Sequence, residues 1–163
     1  MRTTTTATPP TPADDSPPSL QPLDFCLRLS RAYAVLMRRL DNTLSSLHGL
    51  SFGDFMVLYH LQRAPAAKLR RIDLAERLGL TASGVTRTLL PLEKLHLVTR
   101  EADARDARVA YATLTDTGAR LLADALVSAE LVCGEATSAV PGAQIDALAG
   151  VLGQLAGMNL SNS

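Results

Sequence analysis

Ser83, Gly84, Thr86 and Arg87 lie within five residues of one another, immediately after the Gly79-Leu80-Thr81 segment. On the outer, N-terminal face of a helix they would offer small hydroxyls, an open backbone and a guanidinium. Base edges and phosphates are recognised by such groups. A second charged set follows in Ala102-Asp103-Ala104-Arg105-Asp106-Ala107-Arg108. Arg105 and Arg108 on a hairpin tip could enter a minor groove, whose negative potential attracts arginine. Asp103 and Asp106 could hold those guanidinia through charge-assisted hydrogen bonds. Taken alone, such a tip is more often a solvated turn, and a short helical pair is often an ordinary hairpin. Cys26 and Cys133 are far apart and lack metal-ligand spacing, and His48, His60 and His96 suggest no metal site. No nucleophile–base pairing or glycine-rich phosphate loop stands out, so neither an enzyme nor a cofactor is expected.

The elements that would position these groups follow from the apolar spacing. Residues 73–78 form a helix ended by Gly79, and Thr81 or Ser83 caps the next one. Leu74, Leu78, Leu80 and Val85 should lock the two helices at a steep angle, with the small Ala75 at their crossing. Pro91 falls in the later part of the second helix. Leu92 and Leu95 continue the apolar period, so a kinked continuation is expected despite a cost of about 3 kcal/mol. Residues 97–101 and 109–114 then read as two strands of a hairpin.

On the N-terminal side, residues 1–19 are Thr- and Pro-rich with almost no large apolar side chains, which predicts a disordered tail. A long helix follows, with Ser19 as its cap, Pro22 in its first turn and Gly49 as its stop. Cys26, Leu29, Tyr33, Leu36, Met37, Leu40, Leu44 and Leu47 form one stripe along it. Ser51 caps a second helix, with Asp54 in its first turn and Phe55, Leu58, Tyr59 and Leu61 facing inward. Ala64-Pro65-Ala66 breaks it. On the C-terminal side, Thr115 caps a helix running to about Ser138, and Pro141 starts a final one with Ile145, Leu148, Val151, Leu152 and Leu155 on one face. These flanking helices carry more apolar stripe than the small central unit can cover, so they read as a dimerisation bundle.

Composition fits this scheme. The chain has 163 residues, 47% hydrophobic and only 4% aromatic, which favours helix packing in one domain. Its formal net charge is zero, but the charge is segregated: residues 63–108 carry ten basic and six acidic side chains, and residues 109–163 one basic and five acidic. A basic centre balanced by an acidic C-terminal part is compatible with a nucleic-acid partner. The apolar runs are too short for a membrane span, and no secretory signal is evident, so a cytoplasmic protein without a membrane partner is expected.

Three stretches resemble the MarR family of bacterial transcriptional regulators. Residues 72–95, containing DLAERLGLTASGVTRTLLPLEKL, resemble its helix-turn-helix; residues 103–108, DARDAR, its wing signature; and residues 114–118, LTDTG, the entry to its long dimerisation helix. The resemblance covers residues 23–155 and implies a mostly α (α+β) fold, a winged helix-turn-helix with a helical dimerisation bundle. Residues 1–19 would be the tail and 20–163 the MarR-type domain. Within it, residues 50–114 would form the winged lobe, and 20–49 and 115–158 the dimerisation helices. The implied partners are double-stranded DNA, a second copy and a small-molecule effector. The helix from Ala82 would enter the major groove, with Thr81, Ser83, Gly84, Thr86 and Arg87 at the DNA. Arg105 or Arg108 would reach the minor groove, braced by Asp106. The expected function is a homodimeric repressor of a pseudo-palindromic operator, released by an effector. His96 stands where the family usually has glycine, so a left-handed residue is expected there. Cys26 lies near the reactive thiol of the organic-hydroperoxide-sensing branch, and Cys133 roughly where some members place a resolving thiol. A thiol-based hydroperoxide sensor on the same scaffold is therefore the alternative, although Phe52 replaces a tyrosine of that branch.

Overall fold

The computed structural model describes residues 21–103 and 109–157. The elements are α1 (Pro22–His48), α2 (Phe52–Gln62), a short 3-10 turn (Pro65–Ala67), β1 (Lys68–Arg70), α3 (Arg71–Leu78), α4 (Ala82–Lys94), β2 (Val98–Ala102), β3 (Ala110–Leu114), α5 (Asp116–Thr137) and α6 (Gly142–Leu155). This is the mostly helical architecture with a small antiparallel sheet that the sequence predicts. The expected tail, 1–19, and its Ser19 cap lie outside the described residues.

The residues up to Tyr33 form one unit and those from Ala34 a second. In the first, the front of α1 exposes Leu23, Leu27, Tyr33 and Cys26. In the second, one core gathers side chains from every element between the back of α1 and α5. Leu44, Leu58, Leu74, Leu89, Leu92 and Leu122 are among its largest fully buried members. Each such side chain stabilises the fold by about 1.5–3 kcal/mol relative to exposure.

The helix boundaries have local causes. Gly49 ends α1 with a φ of 66°, which glycine adopts without a Cβ penalty. Ser51 and Asp54 form a reciprocal capping box at the start of α2, satisfying two otherwise unpaired amides. Gly79 closes α3 at a φ of 62°, and Thr81 caps α4 by accepting the Gly84 N–H at 3.1 Å. Ser83 is therefore not the cap; its hydroxyl is a neighbour of Thr81 Oγ1 at 3.1 Å. α4 runs through Pro91 to Lys94 without a break, and Pro91 is on the exposed side, where water can serve the carbonyl left without its helical donor. His96 takes the left-handed conformation at a φ of 56°.

Several expectations are corrected. Lys68–Arg70 is a strand, so the sheet has three strands in the order β1-β3-β2, not a lone hairpin. The hairpin strands begin one residue later than their pattern suggests, at Val98 and Ala110. Leu80 does not lock the helical pair: it is 43% exposed, while Leu74 and Val85 are buried and Leu78 is half-buried. Its place in the turn after Gly79 turns the side chain outward. Leu95, just past the end of α4, is likewise exposed, as is Leu47 on α1. Ala75 is buried at the α3–α4 turn, where its carbonyl accepts the Leu80 N–H at 2.9 Å.

Candidate nucleic-acid interface

The turn and the first half of α4 form the centre of the site. Ser83, Thr86 and Arg87 are exposed together, with Thr81 at the helix mouth. One turn of helix separates Ser83 from Arg87, so they lie on the same face. Gly84 is half-buried between them. A Cβ there would approach Thr81 Oγ1 at 3.3 Å and Leu80 Cβ at 3.5 Å, so the glycine keeps the turn close to the helix. Its contribution is to the shape of the turn as well as to the open surface. Thr86 donates its hydroxyl to the Ala82 carbonyl at 3.0 Å. That leaves the Thr86 oxygen as an acceptor and its methyl as an apolar contact, the pair of features that reads base edges in a major groove. Arg87 lines a shallow cleft of about 370 Å³ with Ser51, Asp54, Leu80 and Thr88, where the start of α2 meets α4.

The positive charge is less free than its count suggests. Lys68 pairs with Glu101, Arg70 with Asp73 through two bonds of 2.7 and 2.8 Å, and Arg71 with Glu93 at 3.5 Å. The Lys68 contact holds the Glu101 carboxyl below its ordinary range and raises the lysine above its own. Arg63 lies over the Tyr59 ring at 5.4 Å. Among the described residues, Arg77, Arg87, Lys94 and Arg100 enter no ion pair. All four are exposed. Within the central stretch these four lie on α3, α4 and β2; Arg28, Arg31 and Arg38 on α1, Arg63 after α2 and Arg120 on α5 are also exposed and without an ion pair among the described residues.

The wing grows from the sheet beside α4. β2 and β3 pair from Val98↔Leu114 to Ala102↔Ala110, and the Asp103 N–H donates to the Val109 carbonyl at 3.0 Å. Arg105, Asp106 and Arg108 lie outside the described residues. At the other end of the hairpin, Thr115 joins three elements. Its hydroxyl lies 2.8 Å from the His96 carbonyl and 3.0 Å from that of Leu97, and it accepts the Gly118 N–H at 3.0 Å. Gly118 is buried, and a Cβ there would run into the Leu97 carbonyl oxygen. This explains the glycine in Leu114-Thr115-Asp116-Thr117-Gly118 physically: α5 starts in van der Waals contact with the backbone at the head of β2.

A sequence model of the MarR family matches residues 48–109, the span from the end of α1 to the foot of β3. The fold agrees over nearly the whole chain. Sco3205 of Streptomyces coelicolor, a MarR family transcriptional regulator solved in complex with DNA, superposes with a TM-score of 0.77 at 25% identity, covering 92% of this chain and 96% of its own. In sequence over its central part, and in fold over nearly its whole length, the chain is similar to the MarR family.

Two further relatives fill out the comparison. The uncharacterized HTH-type transcriptional regulator YwaE of Bacillus subtilis (strain 168) is 27% identical over 100 residues, 61% of this chain. The chain spans 57% of the length of that relative. CouR of Rhodococcus jostii RHA1, solved with p-coumaroyl-CoA, has the same fold with a TM-score of 0.75 at 24% identity, covering 82% of this chain and 92% of its own.

Within the second unit, the groove between the back of α1 and α5 is the other concave surface of note. It encloses about 440 Å³ and is lined by Arg39, Asn42, Thr43, Leu47, Ser128, Leu131, Val132 and Glu135. Arg39 and Glu135 form an exposed ion pair of 2.8 Å across it, and His48 Nε2 meets Ser128 Oγ at 2.8 Å beside it. Sequence periodicity places the leucines but not this pairing, because Arg39 and Glu135 are 96 residues apart. Cys26 and Cys133 are both exposed and unpaired, where a buried free thiol is the commoner state. No group of three or more His, Cys, Asp or Glu suited to a metal occurs among the described residues, and no described helix is long and apolar enough to cross a membrane.

Proposed function

We propose that this protein is a sequence-specific, DNA-binding transcriptional regulator and not an enzyme. It acts as a cytoplasmic homodimeric repressor on a pseudo-palindromic operator and is released by a small-molecule effector. The observation that carries this reading is the exposed face of α4: Thr81, Ser83, Thr86 and an ion-pair-free Arg87 on a capped helix N-terminus. The DNA complex of Sco3205 supports the same use of a closely similar fold. Thr86 and Arg87 read bases, Thr81 and Ser83 meet phosphates, and Arg105 and Arg108 reach a minor groove with Asp106 as a brace. Half-sites then lie about one helical turn apart on one face of the duplex. The exposed leucines of α1 and α6 supply the dimer contact.

The effector reading is supported by the α1–α5 groove, where Leu47 and Leu131 offer apolar walls and Arg39 a cation for an acidic, aromatic or otherwise apolar ligand. CouR was solved with a ligand of that general kind. The test is capture of genomic fragments by the full-length protein, followed by binding titrations at several salt concentrations. Arg87→Ala should change sequence preference, whereas Arg108→Ala should weaken binding and make the salt slope shallower by about one ion. Unchanged affinity and preference in both variants would remove the DNA surface from α4 and the wing.

The exposure of Cys26 favours one second reading, a thiol-based hydroperoxide sensor on the same scaffold, with Cys133 as a resolving thiol. Titration with cumene hydroperoxide decides it: DNA release by the wild type and not by Cys26→Ser supports a sensor, and release by both excludes it.

A further inference from the structure

The three-stranded sheet has two unlike faces. Leu69, Val98, Ala112 and Leu114 point into the core. Alternation puts Lys68, Arg70, Thr99, Glu101, Tyr111 and Thr113 on the other face. That face is not simply solvated. The Lys68 ammonium lies 4.5 Å from the centre of the Tyr111 ring and reaches across the central strand to the Glu101 carboxylate. β1 and β2 do not touch each other, so this side chain links the two outer strands over the ring of the strand between them. The Tyr111 hydroxyl in turn donates to Asp103 Oδ2 at 3.2 Å. Asp103 closes the hairpin through its N–H to Val109, at the residue before the 104–108 segment.

We propose that Tyr111, clamped between Lys68 and Asp103, is a positioning residue that sets the wing for its DNA contact. The proposal rests on the reading above that the wing meets DNA. Partly exposed ion pairs and cation–π contacts of this kind contribute little to global stability. The contacts join β1, which leads directly into α3, to the last residue of the hairpin before its tip. They fix a direction more than they hold the fold: without them the hairpin keeps its ladder and the β1–β3 pairing but loses the side-chain link from β1 across Tyr111 to Glu101 and Asp103. Residue spacing alone does not reveal this cluster, because residues 68, 101, 103 and 111 meet only when the short β1 is recognised as a strand.

Four variants of the full-length protein test it: Tyr111→Phe, Tyr111→Leu, Lys68→Met and Lys68→Arg. They are compared with the wild type on a DNA fragment that the wild type retains. Hydroxyl-radical footprinting reads the minor groove, and dimethyl sulfate protection of guanine N7 reads the major groove. Tyr111→Phe should weaken binding about fivefold, the scale of one ordinary, partly exposed hydrogen bond. Tyr111→Leu and Lys68→Met should do at least as much. All three should lose minor-groove protection at the flanks, keep guanine N7 protection and melt as the wild type does. Lys68→Arg should restore the flanking protection. In DNA-free protein, trypsin should cut at Arg105 and Arg108 faster in the three weakened variants than in the wild type.

Wild-type footprints and wild-type trypsin rates in all three would overturn the proposal. A uniform loss of protection together with a lowered melting temperature would overturn it as well, by showing a structural role. A wild type that protects no fragment overturns the DNA reading itself, and with it the DNA part of this proposal. The trypsin arm then decides independently whether Tyr111 holds the hairpin: unchanged cleavage rejects that part, and faster cleavage supports it.

Discussion

The lobe from α2 to β3 and the C-terminal helix α6 are both rich in leucine and small apolar residues, yet they bury them differently. In the lobe, Leu58, Leu74, Val85 and Leu89 are at 0% exposure. In α6, Leu148 is 50% exposed and Leu155 60%, and only Gly153 is buried. The lobe has strands and caps that close its core from within. α6 has a stripe of the same composition, and nothing among the described residues covers it. Composition therefore measures how much apolar surface a segment brings, while burial shows whether the chain can cover it alone. A contiguous exposed stripe of this kind marks an interaction surface, and the proposed second copy is its natural cover.

The sharpest way to break this comparison is to charge the stripe. Leu148→Glu combined with Leu152→Glu should halve the mass seen by analytical ultracentrifugation. It should also weaken operator binding by about 100-fold or more, since two half-sites would no longer be engaged together. An unchanged mass would mean that α6 is not the dimer surface. On the lobe side, Leu89→Ala should cost about 2–5 kcal/mol in denaturant unfolding, because it opens a cavity in a closed core. Gly118→Ala tests the seam where α5 leaves the lobe. The added methyl meets the Leu97 carbonyl, which is backbone and cannot swing away, so a loss of about 1–3 kcal/mol is expected in thermal melting.

The smallest effect is a pH slope within the lobe. His60 on α2 has its pKa lowered from the ordinary 6.5, first by burial and then by the nearby cations Arg77 and Arg63. The folded protein thus holds the neutral ring where the unfolded chain would protonate it. Stability is fully present above pH 6.5 and falls as pH drops from there through the lower folded value. His60→Gln should flatten that part of a pH–stability curve measured by urea unfolding. An unchanged slope would mean that the ring is not held neutral.

How much was legible in the sequence follows the range of the interactions. The capping residues Ser51, Thr81 and Thr115, the left-handed Gly79 and the continuation of α4 through Pro91 are all local effects and could be read from neighbouring residues, whereas the left-handed His96 was suggested only by the family resemblance. The candidate reading face, Ser83, Thr86 and Arg87, was legible for the same reason, since helical spacing alone puts it on one side. β1 was not, because Lys68-Leu69-Arg70 is too short to show a period and owes its strand form to pairing with residues 111–113. Leu80 misled because an apolar side chain just past a turn looks like a core position, whereas the left-handed Gly79 turns the chain outward. The excess of basic residues in the centre also overstated the free charge, since Lys68, Arg70 and Arg71 each have an acidic partner.

The Thr115 junction has a mechanical consequence. The hydroxyl and N–H of Thr115 both meet carbonyls at the end of the α4 turn, and Gly118 lets α5 lie against the same backbone. The helix that carries Arg87 and the helix that walls the α1–α5 groove thus share one hydrogen-bonded junction. On the proposed effector reading, a tilt of α5 by a ligand against Leu131 would pass to the end of α4 through that junction, as a push passes along a short lever.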